Sequence, residues 1–143
     1  MRVREHMVSP PQAVAPETTA EQAAVRMREG EIGCLLVVAD GELRGIVTDR
    51  DLVVRCLAGG ASVKTPVSEL MSSPVVAVRT SADVATAYRA LHDSGVRRLP
   101  VLDGRGRVVG VLSVDDLLLD VLRRLGDLLG PVARTALREP PAP

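Results

Sequence analysis

The chain has 143 residues, 46% of them hydrophobic, and sets 18 Lys plus Arg against 18 Asp plus Glu. That length holds one compact unit, or two small ones that must share a core because neither buries enough apolar surface alone. Zero net charge supplies no long-range field toward nucleic acid or an anionic membrane, and with Tyr88 the one aromatic residue there is no platform on which bases could stack.

Met1 to His6 lacks the apolar core of a signal peptide, and no apolar run approaches the roughly 18 residues of a membrane span, so a soluble cytoplasmic protein is expected. Thr18 or Thr19 can cap a helix from about Ala20 to Glu29, with Ala23, Ala24 and Met27 on its apolar face and Gly30 stopping it. Two aliphatic strands follow, Cys34 to Val38 and Leu43 to Val47, around Ala39-Asp40-Gly41-Glu42, whose Asp-Gly pair suits a tight hairpin. Thr48 stands where strand gives way to a second helix, Asp49 to Leu57, which Gly59-Gly60 ends. Cys34 and Cys56 have no CxxC spacing and no nearby His, and read as free thiols in a reducing compartment. His6, His92, Met7, Met27 and Met71 show no metal-ligand spacing, so no metal site is expected.

The second half repeats the series: a helix from Asp83 to His92, strands from Arg98 to Leu102 and Arg107 to Leu112, and a helix from Val114 onward. Sliding the sequence so that Met7-Val8-Ser9-Pro10 meets Met71-Ser72-Ser73-Pro74 also brings together Ala13 and Ala77, Ala23 and Ala87, and Leu35 and Leu99. After one extra residue in the second hairpin turn, Gly45, Thr48 and Asp51 meet Gly110, Ser113 and Asp116. The chain is an internal duplication. It divides into a first repeat over 1–60, a second over 61–130 with a helical extension, and a tail over 131–143 expected to be disordered for its prolines. The fold class is α/β (α+β), each repeat running β-α-β-β-α. Leu117-Leu118-Leu119, Val121-Leu122, Leu125 and Leu128-Leu129 form an apolar helix face with more surface than one repeat can cover, which points to a homodimer.

A strand ending in Thr or Ser, followed three residues later by Asp in the first turn of a helix, places a hydroxyl and a carboxylate together at a helix N-terminus. Unpaired N–H groups there favour an anionic oxygen. A carboxylate accepts two hydroxyl donors, so Asp51 or Asp116 suits the vicinal hydroxyls of a ribose, and Thr48 or Ser113 can meet a phosphate or ribose oxygen. The plainer alternative is that both pairs only cap their helices.

Gly45-Ile46-Val47-Thr48-Asp49-Arg50-Asp51-Leu52 and Gly110-Val111-Leu112-Ser113-Val114-Asp115-Asp116-Leu117, with Arg97-Arg98-Leu99-Pro100-Val101, resemble the CBS-pair family, most nearly its small stand-alone actinobacterial members of the hypoxic-response type. The resemblance spans about residues 7 to 125. It implies two repeats packed through their sheets as a pseudo-two-fold pair, with each pocket joining one repeat's motif to the start of the other's first helix. Ser113 and Asp116 would then face Thr18 to Ala23, and Thr48 and Asp51 would face Ala82 to Ala87. It further implies that Ala23 and Ala87 lie against an adenine ring, that Ile46 and Val111 touch the base, and that Arg97 or Arg98 reaches phosphate beside Pro100. The first repeat departs from the pattern, with Gly33-Cys34-Leu35-Leu36 where the base and proline would stand, so the pockets are expected to be unequal.

The implied function is a regulatory module that senses AMP, ADP, ATP or S-adenosylmethionine, requires no cofactor, and signals to a regulated protein. The alternative is a structural, oligomerising protein with degenerate pockets. No Gly-rich phosphate loop, nucleophile elbow or metal dyad suggests an enzyme.

Overall fold

The computed structural model describes residues 1–73 and 76–137. Its first half comprises β1 (Ala13–Val14), α1 (Ala20–Gly30), β2 (Cys34–Ala39), β3 (Glu42–Thr48) and α2 (Asp49–Asp51), which a π-helical stretch, Leu52–Leu57, continues. The second comprises β4 (Val78–Arg79), α3 (Val84–Ser94), β5 (Arg98–Leu102), β6 (Val108–Ser113) and α4 (Val114–Ala136). Each half forms a three-stranded sheet whose short strand lies parallel to the middle one and whose last strand returns antiparallel to it. The duplicated β-α-β-β-α order is therefore the real architecture.

Local chemistry explains most boundaries. Thr19 caps α1, its hydroxyl accepting from the backbone of Gln22 while the Gln22 side chain accepts from Thr19. Asp40 and Gly41 take successive left-handed conformations, φ 53° and 76°, as a two-residue hairpin of primed type requires. Gly30 is the last residue of α1 rather than its stop: Glu31 adopts the left-handed turn instead, at φ 51°. Gly95 fills the matching place after α3 without that steric cost. α4 continues through Pro131 to Ala136, so the stretch expected to be disordered from 131 is helical at its start. Residues 138–143 of that expected tail lie outside the described residues.

Alternation along the middle strands decides what packs where. Leu35 and Val37 join α1 in one apolar core, and Leu99 and Val101 join α3 in the other. Leu36 and Pro100 point to the opposite face of their sheets and are still fully buried, so each sheet is covered on that side too.

The two cores do not follow the repeat boundaries. Val3, in a short 3-10 turn at Val3–Glu5, is fully buried in the core of the second half, and its amide donates to the Ala82 carbonyl at 2.9 Å. Val67 and Leu70 belong to the first core, with Val67 N–H donating to the Thr18 carbonyl at 2.7 Å. The segment leading into each repeat thus closes the other repeat, and a division at residue 60 separates sequence copies but not packing units.

Each crossing segment passes directly over a glycine. A Cβ on Gly45 would stand 2.8 Å from the Ser72 carbonyl oxygen, and one on Gly110 would stand 2.9 Å from that of Val8. The bridges Ile46 to Ser72 and Val8 to Val111 seal these crossings.

Removing two methyl groups from a filled core costs about 2 kcal/mol once the residual cavity is included. Val3→Ala is therefore expected to lower the unfolding free energy of the whole protein, read from urea melts, by that amount and to move the midpoint down accordingly. Val8→Ala, at a side chain 58% exposed, should leave the midpoint nearly unchanged.

Candidate functional site

The motif residues form two matched capping boxes. In the first, Asp51 N–H donates to Thr48 Oγ1 at 3.1 Å and Thr48 N–H donates to Asp51 Oδ2 at 2.9 Å. In the second, Asp116 N–H donates to Ser113 Oγ at 3.0 Å and Ser113 N–H donates to Asp116 Oδ2 at 3.1 Å. The capping role is thus realised in both repeats, and it commits only one oxygen of each carboxylate. Asp51 Oδ1 lies 3.7 Å from Arg55 Nε, while Arg55 Nη1 also donates to the carbonyls of Leu70 and Met71 in the crossing segment. Among the described residues no side chain pairs with Oδ1 of Asp116. Each hydroxyl accepts within its box and keeps its own proton available to an outside acceptor.

Both boxes open into clefts at the seam of the two halves. The cleft beside the first, about 500 Å³, is walled by Ile46, Thr48 and Asp51 with Arg50, closed by Ser72 and Val76, and faced by Gly95 to Arg98 from the other half. The cleft beside the second, about 370 Å³, is walled by Val111, Ser113 and Asp116, closed by Val8 and Pro10 to Gln12, and faced by Glu31 to Cys34. Gly33, Cys34 and Arg98 border both. A further concavity of about 720 Å³ lies between the two hairpin turns and adjoins neither motif.

Ile46, Thr48, Asp51, Arg97 and Arg98 therefore come together around one cleft, and Val111, Ser113, Asp116 and Arg98 around the other. The remaining expected residues stand elsewhere. The motif of one half meets the loop leaving the first helix of the other, not the start of that helix. The helix starts are already occupied: Ala20 and Glu21 N–H groups donate to the carbonyls of Thr65 and Val63, and Val84 N–H donates to that of Met1. Ala23 and Ala87 are fully buried in their own cores, where their smallness lets a helix lie close on its sheet. Ala82 packs against the second core, Thr18 lies on an outer groove beside Glu21 and Gln22, and Pro100 is sealed on the covered face of β5.

Sequence reading overlooked the loop residues Glu31, Ile32, Val96 and Gly95 and the crossing residues Val8, Pro10, Ser72 and Val76. The repeat alignment held the signal, because Glu31-Ile32-Gly33-Cys34 and Gly95-Val96-Arg97-Arg98 occupy matching positions.

Those two loops give the clefts different electrostatics. The first cleft receives Arg97 and Arg98 in addition to its own Arg50, set against Asp49 and Asp51, whereas the second has Glu31 and Asp116 with Arg98 as its one lining cation. Arg97 is held by Asp115 at 3.4 Å, both side chains being well exposed, so this pair binds weakly and can be exchanged for another anion. A side chain at Gly33 would crowd Asp49, whose carboxylate oxygen lies 3.1 Å from the Cβ position. Burial pushes the Cys34 thiol above its ordinary pKa, against the opposing pull of the Arg98 charge, so it is neutral at pH 7. Among the described residues no three His, Cys, Asp or Glu side chains cluster as a metal site would need, and no helix is long and apolar enough to cross a membrane.

Residues 3–57 and 67–123 each match the CBS domain family. The CBS domain-containing protein YhcV of Bacillus subtilis is 34% identical over 115 residues, covering 80% of this chain and 81% of its own. A crystal structure of Hypoxic Response Protein I with two coordinated zinc ions superposes with a TM-score of 0.76 at 31% identity, over 82% of this chain and 97% of that one. A crystal structure of CBSX2 in complex with AMP superposes with a TM-score of 0.74 at 27% identity, over 85% and 96% of the two chains. The duplication and the pair of three-stranded sheets are thus those of the CBS domain family, to which this chain belongs as a pair of repeats.

Proposed function

We propose that the protein is a non-catalytic regulatory module that binds an adenosyl compound, AMP, ADP, ATP or S-adenosylmethionine, in its seam clefts, and that it works as a cytoplasmic homodimer passing ligand state to a regulated protein. The observation that carries this reading is the doubled arrangement of a cleft-lining carboxylate with one oxygen held by its own helix cap, the other lying 3.7 Å from Arg55 Nε in Asp51 and having no side-chain partner among the described residues in Asp116. A side chain fixed in this way binds without losing further rotamer freedom, and one oxygen with two lone pairs suits a ribose diol. The cleft volumes fall in the range of small-ligand sites, and Ile46 or Val111 offers an apolar surface to a base. The structure of CBSX2 with AMP supports the same ligand class. Because each cleft is built from both halves, a ligand that prefers one spacing of the halves shifts the equilibrium toward it, which is the energetic basis of signalling.

The three arginines of the first cleft favour ligands with more phosphate there, and the second, with Glu31, favours an uncharged or cationic adenosyl compound. The pockets are read as unequal on that basis.

Isothermal titration of the purified protein with each of the four ligands is expected to show micromolar binding by at least one; neither heat nor thermal shift with any of them would sink the reading and leave an oligomerising role. Asp51→Asn retains an oxygen for the cap but presents an amide to the cleft. It should therefore hold the melting temperature close to the parent while weakening binding tenfold or more, about 1.4 kcal/mol. Loss of stability with unchanged affinity would assign Asp51 to the cap alone.

Arg98→Ala is expected to weaken ATP more than adenosine; equal losses would remove phosphate contact from its role. Cys34 supplies a third readout, since it borders both clefts while Cys56 is only 2% exposed. Its raised pKa makes alkylation slow at pH 7 and faster as pH climbs past the ordinary thiol range. Saturating ligand should slow the reaction several-fold at any one pH, and an unchanged rate would place the ligand away from the seam.

A further inference from the structure

We propose that Arg55 is a positioning residue that makes the first cleft the transmitting one: it ties the Asp51 carboxylate to the crossing segment, so that occupancy of this cleft tightens the closure of the first core. Transmission rests on the ligand reading above; the tie itself does not. One guanidinium meets both partners, with Nε 3.7 Å from Asp51 Oδ1 and Nη1 donating to the Leu70 carbonyl at 3.2 Å and the Met71 carbonyl at 3.1 Å. Val67 and Leu70 of that segment are buried in the first core. Neither Leu70 nor Met71 lines the cleft, so a ligand there reaches them only through an intermediary. The Asp51 side chain is 15% exposed, which shelters the carboxylate end of the tie from solvent screening.

The duplication supplies an internal comparison. The position matching Arg55 is Asp120, and the position matching Leu70 is His6. Asp120 lies 3.9 Å from His6, so each helix meets its crossing segment at the same two places. The link back to the motif is present in one repeat alone. Asp120 and Asp116 are both anions and do not attract, and Oδ1 of Asp116 has no side-chain partner among the described residues. The winding differs too. Arg55 rides on the π-helical stretch Leu52–Leu57, where Ala58 N–H donates to the Val53 carbonyl five residues back, whereas the matching part of α4 is regular α-helix. Such π turns are rare and concentrate at functional sites.

At 3.7 Å the Nε contact leaves Oδ1 of Asp51 able to accept ligand hydroxyls. A diol bound there holds the carboxylate, and through its charge the guanidinium, where Nη1 reaches the crossing segment. Linkage then works in both directions: opening that segment lowers ligand affinity, and bound ligand makes opening rarer by the same factor. The planar fork of arginine is what permits two partners at once. A lysine ammonium, as a point charge, meets the carboxylate or the carbonyls and does not span them.

The test is amide hydrogen exchange of the full-length protein at Leu70 and Met71, whose N–H groups both donate to the Val67 carbonyl. Without ligand, Arg55→Ala is expected to speed their exchange about tenfold, the loss of a charged donor from a locally opening segment. Asp51→Asn should speed it several-fold in the parent and add nothing once Arg55 is alanine. Unchanged exchange in Arg55→Ala, or effects of the two substitutions that simply add, would overturn the tie. With saturating AMP the same amides should slow several-fold in the parent. In Arg55→Lys, which keeps the charge and the fold, AMP should still bind while the slowing is lost. Bound AMP without slowing in the parent, or slowing that survives Arg55→Lys, would overturn transmission. The matching amides of His6 and Met7, which donate to Val3, serve as the control, and an equal response there would overturn the assignment to the first cleft. The ligand-free arm judges the tie whether or not AMP binds, so its failure and that of the ligand reading give different results.

Discussion

Neither half of this protein closes its own core. Val3 fills the second and Val67 with Leu70 fills the first, so the two repeats are tied by exchange of the segments that precede them. A half of some sixty residues buries too little surface to stand alone, and the exchange resolves that shortage by making each half complete only in the presence of the other. The crossings sit over Gly45 and Gly110, where backbone meets backbone too closely for any side chain. The first residue of each functional motif is therefore fixed by packing before ligand chemistry enters.

That same constraint explains where the clefts are. With the crossing segments bonded to the N-terminal turns of α1 and α3, those helix starts are unavailable, and the openings between halves fall instead where the loops after α1 and α3 face the motifs. In the motifs, capping and the proposed ligand contact are not rival uses. A carboxylate has two oxygens, and the helix takes Oδ2 in both repeats, which fixes the direction of Oδ1.

The sequence carried the repeat, the strand and helix order and the motif residues because each has a local cause: alternation, turn chemistry at Asp40-Gly41, and the three-residue spacing from Thr48 to Asp51. Long-range exchange has no such local signature. Val3 reads as an ordinary apolar residue near a terminus, and nothing in its neighbourhood names Ala82 as its partner. Ala23 and Ala87 show the converse difficulty, since a small residue on a helix serves close packing and ligand approach equally well, and here packing claims it. The helical run beyond Pro131 escaped notice because proline and glycine there argue locally for a break, while the apolar spacing on either side carries the helix through.

Arg98 stands on a wall common to both clefts. Duplication produced two clefts but left a single guanidinium bordering both, because the matching position in the other repeat is Cys34. One cation cannot neutralise an anion in each cleft at once, so under the proposed binding of phosphate-bearing ligands the two clefts would share its charge. Symmetry of backbone is thus joined to asymmetry of charge at one residue pair, Arg98 and Cys34.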